Sequence, residues 1–256
     1  MQGDLDVWNG AVNAGLLNAA AAGERIRIVA DKGSIPASGC SYVGYLARPD
    51  AVDADGQVLA ERLLGERVPT SSALTSMYAI DQFVRSSGID PSEVVFEAMG
   101  MGSRAAALEG GAVPVSSINE PSMTRLLQET DLVKVADAVE HVPGLPLAVV
   151  GFGPRMLDDP DLADRFMRAY LRGVHTYAEG PTESNLAILT SAIEVEESVL
   201  REACWPAISS DGRIDTDRLA AAQEWGVGAG MIDAVVDEDT YWDSSFVDRA
   251  ARAIDG

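Results

Sequence analysis

The string with the most recognisable chemistry is Gly100-Met101-Gly102-Ser103-Arg104-Ala105, which follows a predicted strand and opens a predicted helix. With Glu120 about twenty residues on, it satisfies the G-x-G-x-x-A pattern of dinucleotide-binding turns, in which glycines let the backbone approach a pyrophosphate held at a helix N-terminus. The helix that follows has only about two turns before Gly110-Gly111, and Glu97 and Glu109 bring charge of the wrong sign for a phosphate. A glycine-containing strand-to-helix turn is the favoured reading, and an NAD(P)-dependent oxidoreductase the minor one. A second lead is Thr70-Ser71-Ser72, three hydroxyls at the start of a strongly patterned helix. They read as N-caps, or as an anion site on the positive end of the helix dipole. Trp8 and Asn9, read as lying just past the end of a strand, occupy a place where open α/β sheets position ligand-contacting loops.

Other chemistries find little support. Cys40 and Cys204 are far apart and lack C-x-x-C or Cys/His spacing, so no metal site is expected. Two buried thiols are the favoured state, with a long-range disulfide as the alternative for an exported chain. His141 and His175 are isolated, no G-x-S-x-G elbow is present, and no Ser-His-Asp or Cys-His constellation emerges. Carboxylates are so abundant that no particular pair is informative.

Asp and Glu number 40 against 19 Lys plus Arg, a net charge of -21. Such a field opposes binding to phosphate backbones, so nucleic acid is not an expected partner. Lys32 and Lys134 are the only lysines, a bias compatible with a GC-rich genome or with high salt. No apolar run approaches the ~18 residues of a membrane span. The opening residues lack a basic region followed by an apolar stretch, and the abrupt start into a strand raises the expectation of a missing upstream segment.

The elements that must position these residues alternate. Leu5–Trp8, Ala11–Ala22 and Ile26–Ala30 read as strand, helix, strand; extended stretches follow at Tyr42–Leu46 and Arg67–Pro69. From Thr70, the positions Ala73, Met77, Ile80 and Val84 mark one helix face up to Gly88. Strands at Val94–Ala98, Val113–Ile118, Leu132–Val135 and Leu147–Val150 alternate with helices at Arg104–Glu109 and Ser122–Gln128, as in a parallel or mixed sheet flanked by helices. Beyond Val150 the pattern is almost entirely helical, with a long amphipathic helix marked by Leu162, Phe166, Ala169, Tyr170, Gly173 and Tyr177.

The run from Gly3 to Ser34, reading G-x-hydrophobic-Asp and then helix and strand, resembles ABC-importer substrate-binding proteins of the nitrate/sulfonate/taurine and thiamine-pyrimidine branch (SsuA/THI5-like, NMT1-like). Gly65-Glu66-Arg67-Val68 with Thr70-Ser71-Ser72, then Ala107-Leu108-Glu109-Gly110 with Glu120-Pro121, then Pro143-Gly144-Leu145-Pro146 resemble later blocks of that family in the same order. The resemblance implies a two-lobed type II periplasmic-binding-protein fold, α/β with mixed sheets flanked by helices and a helical C-terminal region. Residues 1–48 would begin lobe 1, 49–140 form lobe 2, and 141–256 return to lobe 1, with crossovers near 46–66 and 137–151. The family's leader and first strand–helix–strand segment precede the point at which this sequence starts, so one strand of lobe 1 would be missing.

What the resemblance implies about function is capture of a small organic or anionic solute between two lobes, without catalysis or cofactor, by an extracytoplasmic monomer that hands the solute to a membrane permease. The solute would be sulfonate- or nitrate-like, an aromatic acid or a pyrimidine. Trp8, Asn9 and Asn13 would contact it from the first lobe, with Lys32 and Ser34; Ser71 and Ser72 from the second; and Asn119 and Glu120 near the hinge. The alternative within the fold is a biosynthetic enzyme acting on a pyrimidine-like ring. The cysteine-rich loop and histidine that such enzymes look to need have no counterpart here.

Overall fold

The computed structural model describes residues 5–255, so Gly3 and Asp4 of the opening motif lie outside the described residues. In chain order it runs β1 (Val7–Ala11), α1 (Ala14–Ala21), β2 (Arg27–Ser34), β3 (Val43–Ala47), β4 (Arg67–Thr70), α2 (Leu74–Ser86), β5 (Val95–Ala98), α3 (Met101–Glu109), β6 (Val115–Asn119) and α4 (Ser122–Glu129). Then follow β7 (Val133–Asp137), β8 (Pro146–Phe152), α5 (Pro154–Asp158), α6 (Pro160–Ala178), α7 (Glu183–Ile193), α8 (Glu197–Glu202), α9 (Thr216–Gly228), α10 (Glu238–Tyr241) and α11 (Ser245–Asp255). The chain divides into two compact units. Unit 1 takes the residues up to Ser34, then Leu145–Gly180, then those from Ala207 onward; unit 2 takes Ile35–Gly144 and Pro181–Pro206.

Unit 1 is built on a sheet of order β1-β8-β2, with β8 antiparallel to both neighbours. β8 is central because its sequence is an almost unbroken apolar run, as a strand covered on both faces requires, and Val149, Val150 and Phe152 are fully buried. The long helix α6 starts where Asp159 accepts a hydrogen bond from the Leu162 amide at 3.0 Å and Pro160 fills the first helical position. Ala163, Met167, Leu171 and Val174 recur at helical spacing and form its buried stripe. The Phe152 ring meets Phe166 and Phe246 edge-on, with centroids 5.6 and 5.1 Å apart, and so joins the sheet to α6 and α11.

Unit 2 contains the antiparallel sheet β6-β3-β7 and the parallel pair β4–β5. β3 is buried at all five positions. Tyr45 stacks on Phe83 of α2 at 4.2 Å and donates its hydroxyl to the Ala79 carbonyl at 2.8 Å, pinning α2 to one face. A second cluster of Leu46, Leu108, Val113, Ile118, Met123 and Leu126 packs α3 and α4 on the sheet, each large side chain contributing about 1.5–3 kcal/mol by burial.

Several expectations are corrected. β1 spans Val7–Ala11, so Trp8 and Asn9 lie inside the strand, opposite Gly151 and Val150, not beyond its end. α2 begins at Leu74 with Ala73 in the cap position, so Thr70-Ser71-Ser72 form a strand end and loop and not its N-cap. β6 starts at Val115 because Pro114 has no N–H for the ladder. Cys40 and Cys204 are not thiols but a disulfide. The first unit boundary falls after Ser34 and not at 48, since Val43–Ala47 hydrogen-bonds with β6 and β7. Residues 181–206 belong to unit 2, tied there by the disulfide and by the 2.7 Å Gln128–Glu202 hydrogen bond.

Candidate functional site

In unit 2 the strand directions converge on one edge. Thr70 of β4 lies opposite Ala98 of the parallel β5. The Ser116 hydroxyl donates to the Pro69 carbonyl at 3.1 Å and the Ser117 hydroxyl to that of Thr70 at 3.0 Å, so β4 and β6 rise together. β6 and β7 are both antiparallel to β3. The carboxyl ends of β4, β5, β6 and β7 therefore share an edge, the place where open α/β sheets bind ligands.

The feature at that edge that sequence reasoning missed is Arg104, on α3. It is 4% exposed, and its Nη1 donates to the Ser117 carbonyl at 2.7 Å and the Ser117 hydroxyl at 2.6 Å. Its Nε is buried without a hydrogen-bond partner, and among the described residues no carboxylate pairs with it. Burial pulls the guanidinium down to about 10, with no acidic neighbour opposing the effect. An uncompensated buried charge costs several kcal/mol. The only sequence trace of this residue was its place in the Gly100–Ala105 string.

Hydrogen bonds lead from Arg104 through Ser117 to Thr70, which Ser71 and Ser72 follow in the chain. The Ser71 hydroxyl accepts from the Ala73 amide at 3.2 Å, and Ser72 is exposed. The amides of Leu74, Thr75 and Ser76 precede the first intrahelical bond of α2, from the Met77 amide to the Ala73 carbonyl. Thr75 is fully buried with its hydroxyl unpartnered. A helix N-terminus, a loop of hydroxyls and a buried guanidinium without a counter-charge favour an anion at this edge, opposed by the Asp137 carboxylate that ends β7 and is paired with Lys134 through one oxygen only.

Asn119 ends β6, half-buried opposite Val43. The Glu120 carboxylate accepts from the Thr124 amide and hydroxyl, both at 2.9 Å, and from the Cys204 amide at 3.4 Å, so it caps α4.

In unit 1, Asn13 and Ser34 sit at the carboxyl ends of β1 and β2, whereas Trp8, Asn9 and Lys32 lie within strands. Trp8 is half-buried with its indole over Gly151, where a Cβ would fall among the ring atoms; its indole N–H is buried without a partner. Asn13 is the N-cap of α1, accepting from the Leu16 amide at 2.9 Å. Asn9 and Lys32 are exposed. Ser34 donates at 2.9 Å to Asp31, a 1% exposed carboxylate that also accepts from the Gly33 and Ser209 amides at 3.0 and 2.7 Å. Burial raises the Asp31 carboxyl above its usual range despite these hydrogen bonds.

The dinucleotide reading gains no support from α3. α3 is nine residues long, shorter than the helix a dinucleotide-binding βαβ unit carries. Among the described residues, no three His, Cys, Asp or Glu side chains group as metal ligands, and no helix is long and apolar enough to cross a membrane.

No protein-family model and no curated protein matches this sequence. Solved structures do. The ligand-binding component of an ABC-type import system from Staphylococcus aureus, determined with zinc bound, matches with TM-score 0.79 at 14% identity, over 98% of this chain and 82% of that one. The periplasmic sulfonate-binding protein SsuA of a putative sulfonate ABC transporter from Methylobacillus flagellatus matches with TM-score 0.73 at 16% identity, over 99% and 76%. This chain has the fold of ABC-importer substrate-binding proteins. The desulfurization enzyme DszB shares it, with TM-score 0.67 at 14% identity over 99% and 88%, so the fold alone does not separate binding from catalysis.

Proposed function

We propose that this chain is the solute-capturing component of an ABC-type importer and that its solute is a small oxyanion of the sulfonate kind. The observation that carries the reading is Arg104: a buried guanidinium with two oxygen acceptors and no carboxylate, beside the N-terminus of α2 at the ligand edge of unit 2. A neutral pyrimidine would leave that charge uncompensated, whereas an oxyanion answers it. Ser71 and Ser72 are the companion contacts in unit 2; in unit 1, Asn9 and Lys32 are exposed and the Trp8 indole N–H is buried without a partner. Solute binding selects one conformational state of the chain, which a membrane permease recognises. An extracytoplasmic setting agrees with the disulfide.

Catalysis on the same fold is disfavoured by what the reactive side chains are doing. Both cysteines are bonded to each other, His175 Nε2 faces the Ser210 carbonyl at 2.9 Å, and His141 packs against Tyr45 and Phe83. No nucleophile–base pair is assembled from them.

The test is thermal melting against methanesulfonate, nitrate, sulfate, hydroxymethylpyrimidine and NADH at constant ionic strength, because a net charge of -21 responds to salt on its own. One anion at about 100 times its Kd adds roughly 2.7 kcal/mol, raising Tm by several degrees. Stabilisation by hydroxymethylpyrimidine or NADH alone contradicts the oxyanion reading.

A further inference from the structure

The segments carrying Cys40 and Cys204 both lead out of unit 2. Cys40 follows the Ser34–Ile35 junction by a few residues, and Cys204 shortly precedes the Pro206–Ala207 junction. Within unit 1 the same two segments are paired, the Ser34 amide donating to the Ala207 carbonyl at 2.8 Å. Within unit 2 they are joined twice. The disulfide is one link, with Cα atoms 5.6 Å apart. Glu120 is the other: its amide donates to the Tyr42 carbonyl at 2.8 Å, and its carboxylate accepts from the Cys204 amide at 3.4 Å. Covalent bond and carboxylate thus bridge the same pair of segments, and the second bridge is the residue that follows β6 at the candidate edge.

We propose that the Cys40–Cys204 disulfide is a redox-sensitive clasp that holds Glu120 and the end of β6 in place for solute binding, an inference that rests on the solute-binding reading above. Cys40 is the more exposed residue of the pair, and attack is proposed at its sulfur. A thiolate of a dithiol reductant, such as a thioredoxin-like protein, attacks Cys40 Sγ. The S–S bond breaks, Cys204 leaves as a thiolate and takes up a proton, and the reductant's second thiol displaces Cys40. Two electrons and two protons pass to this chain, and the reductant becomes a disulfide. Among the ties that remain are the long Glu120–Cys204 hydrogen bond, the Gln128–Glu202 hydrogen bond, and the burial of Val199 and Leu200. Reduction therefore loosens residues 200–205 and the start of α4 without unfolding the unit.

The experiment is hydrogen exchange on the full chain, oxidised and after complete reduction by dithiothreitol with thiols titrated, alongside methanesulfonate titration of both forms. Expected are amide exchange faster by about tenfold or more at 120–126 and 200–205 and affinity weaker by about fivefold or more; Cys40→Ser with Cys204→Ser reproduces both without reductant. Unchanged exchange overturns the clasp whatever the chain binds. Faster exchange with unchanged affinity overturns its role at the site. An oxidised chain that binds no oxyanion while its exchange still responds to reduction supports the clasp and counts against the solute reading.

Discussion

In unit 1 the buried carboxylate of Asp31 is met by the amides of Gly33 and Ser209 and the hydroxyl of Ser34, whereas in unit 2 the buried guanidinium of Arg104 is met by two oxygens of Ser117 and by no opposite charge. Both groups are desolvated, and the direction of each shift follows: the Asp31 carboxyl is raised and the Arg104 guanidinium lowered. The difference lies in what is left over. Among the described residues, unit 1 leaves the Trp8 indole N–H and one amide nitrogen of Gln223 buried and unpartnered, whereas unit 2 leaves the Nε of Arg104, the Thr75 hydroxyl, one carboxylate oxygen of Asp137 and His141 Nε2. Buried polar groups are normally paired, so such leftovers mark strain or function. On the function proposed above, Arg104 and Thr75 are the unit 2 groups that would select the solute.

The contrast can be broken by showing that a unit 1 candidate is a contact and not scaffold. The largest effect is expected at Gly151. A methyl group there enters the space of the Trp8 indole, and Gly151→Ala should cost about 1–3 kcal/mol in urea unfolding, with much of that loss absent in a Trp8→Ala background. Full additivity of the two changes would show that Trp8 does not cover β8. Next in size is Asn13→Ala, which removes the cap of α1 and should cost about 1 kcal/mol while leaving oxyanion affinity unchanged; a change in affinity moves Asn13 from scaffold to site. The smallest effect concerns His141 in unit 2, packed near Tyr45 and Phe83 with Nε2 buried and unpartnered. Burial lowers its pKa, with Glu140 opposing in part. The unfolded chain then takes up that proton first, so the stability contributed is complete above about 6.5 and falls as pH drops below that value. A His141→Asn variant should lack this fall in melts recorded at decreasing pH, and an identical pH profile would assign the fall to other groups.

Much of the fold was legible because each element carries its own signal. Apolar runs such as Leu147–Val150 and the stripe of Ala73, Met77, Ile80 and Val84 announce strand and helix without reference to the rest of the chain. Which sheet an element joins is decided by pairing across long separations, and local pattern is silent on that. Hence Val43–Ala47 was assigned to the wrong lobe, and α7 and α8, read only as late helices, turned out to belong with unit 2. The disulfide stood only as the alternative to two thiols for the same reason, its partners being 164 residues apart. At the candidate site, the hydroxyls of Thr70-Ser71-Ser72 stood out in the sequence as an anion-binding expectation, whereas Arg104 did not. An arginine in a short helix reads as solvated, and only the approach of β6 makes it buried and bonded to Ser117.

The central claim, that Arg104 supplies the charge that selects the solute, is tested most directly by calorimetric titration of methanesulfonate into the wild-type chain and Arg104→Met at neutral pH, with a melt of each. A hydrogen bond to a charged partner is worth about 1.5–3 kcal/mol, so the account predicts affinity weaker by roughly 10- to 100-fold. Stability without ligand should be equal or higher, because a buried charge has been replaced by an apolar side chain of similar length. Unchanged affinity, or a variant that loses its fold, would contradict the account by showing that the guanidinium serves the core of unit 2 and not the solute.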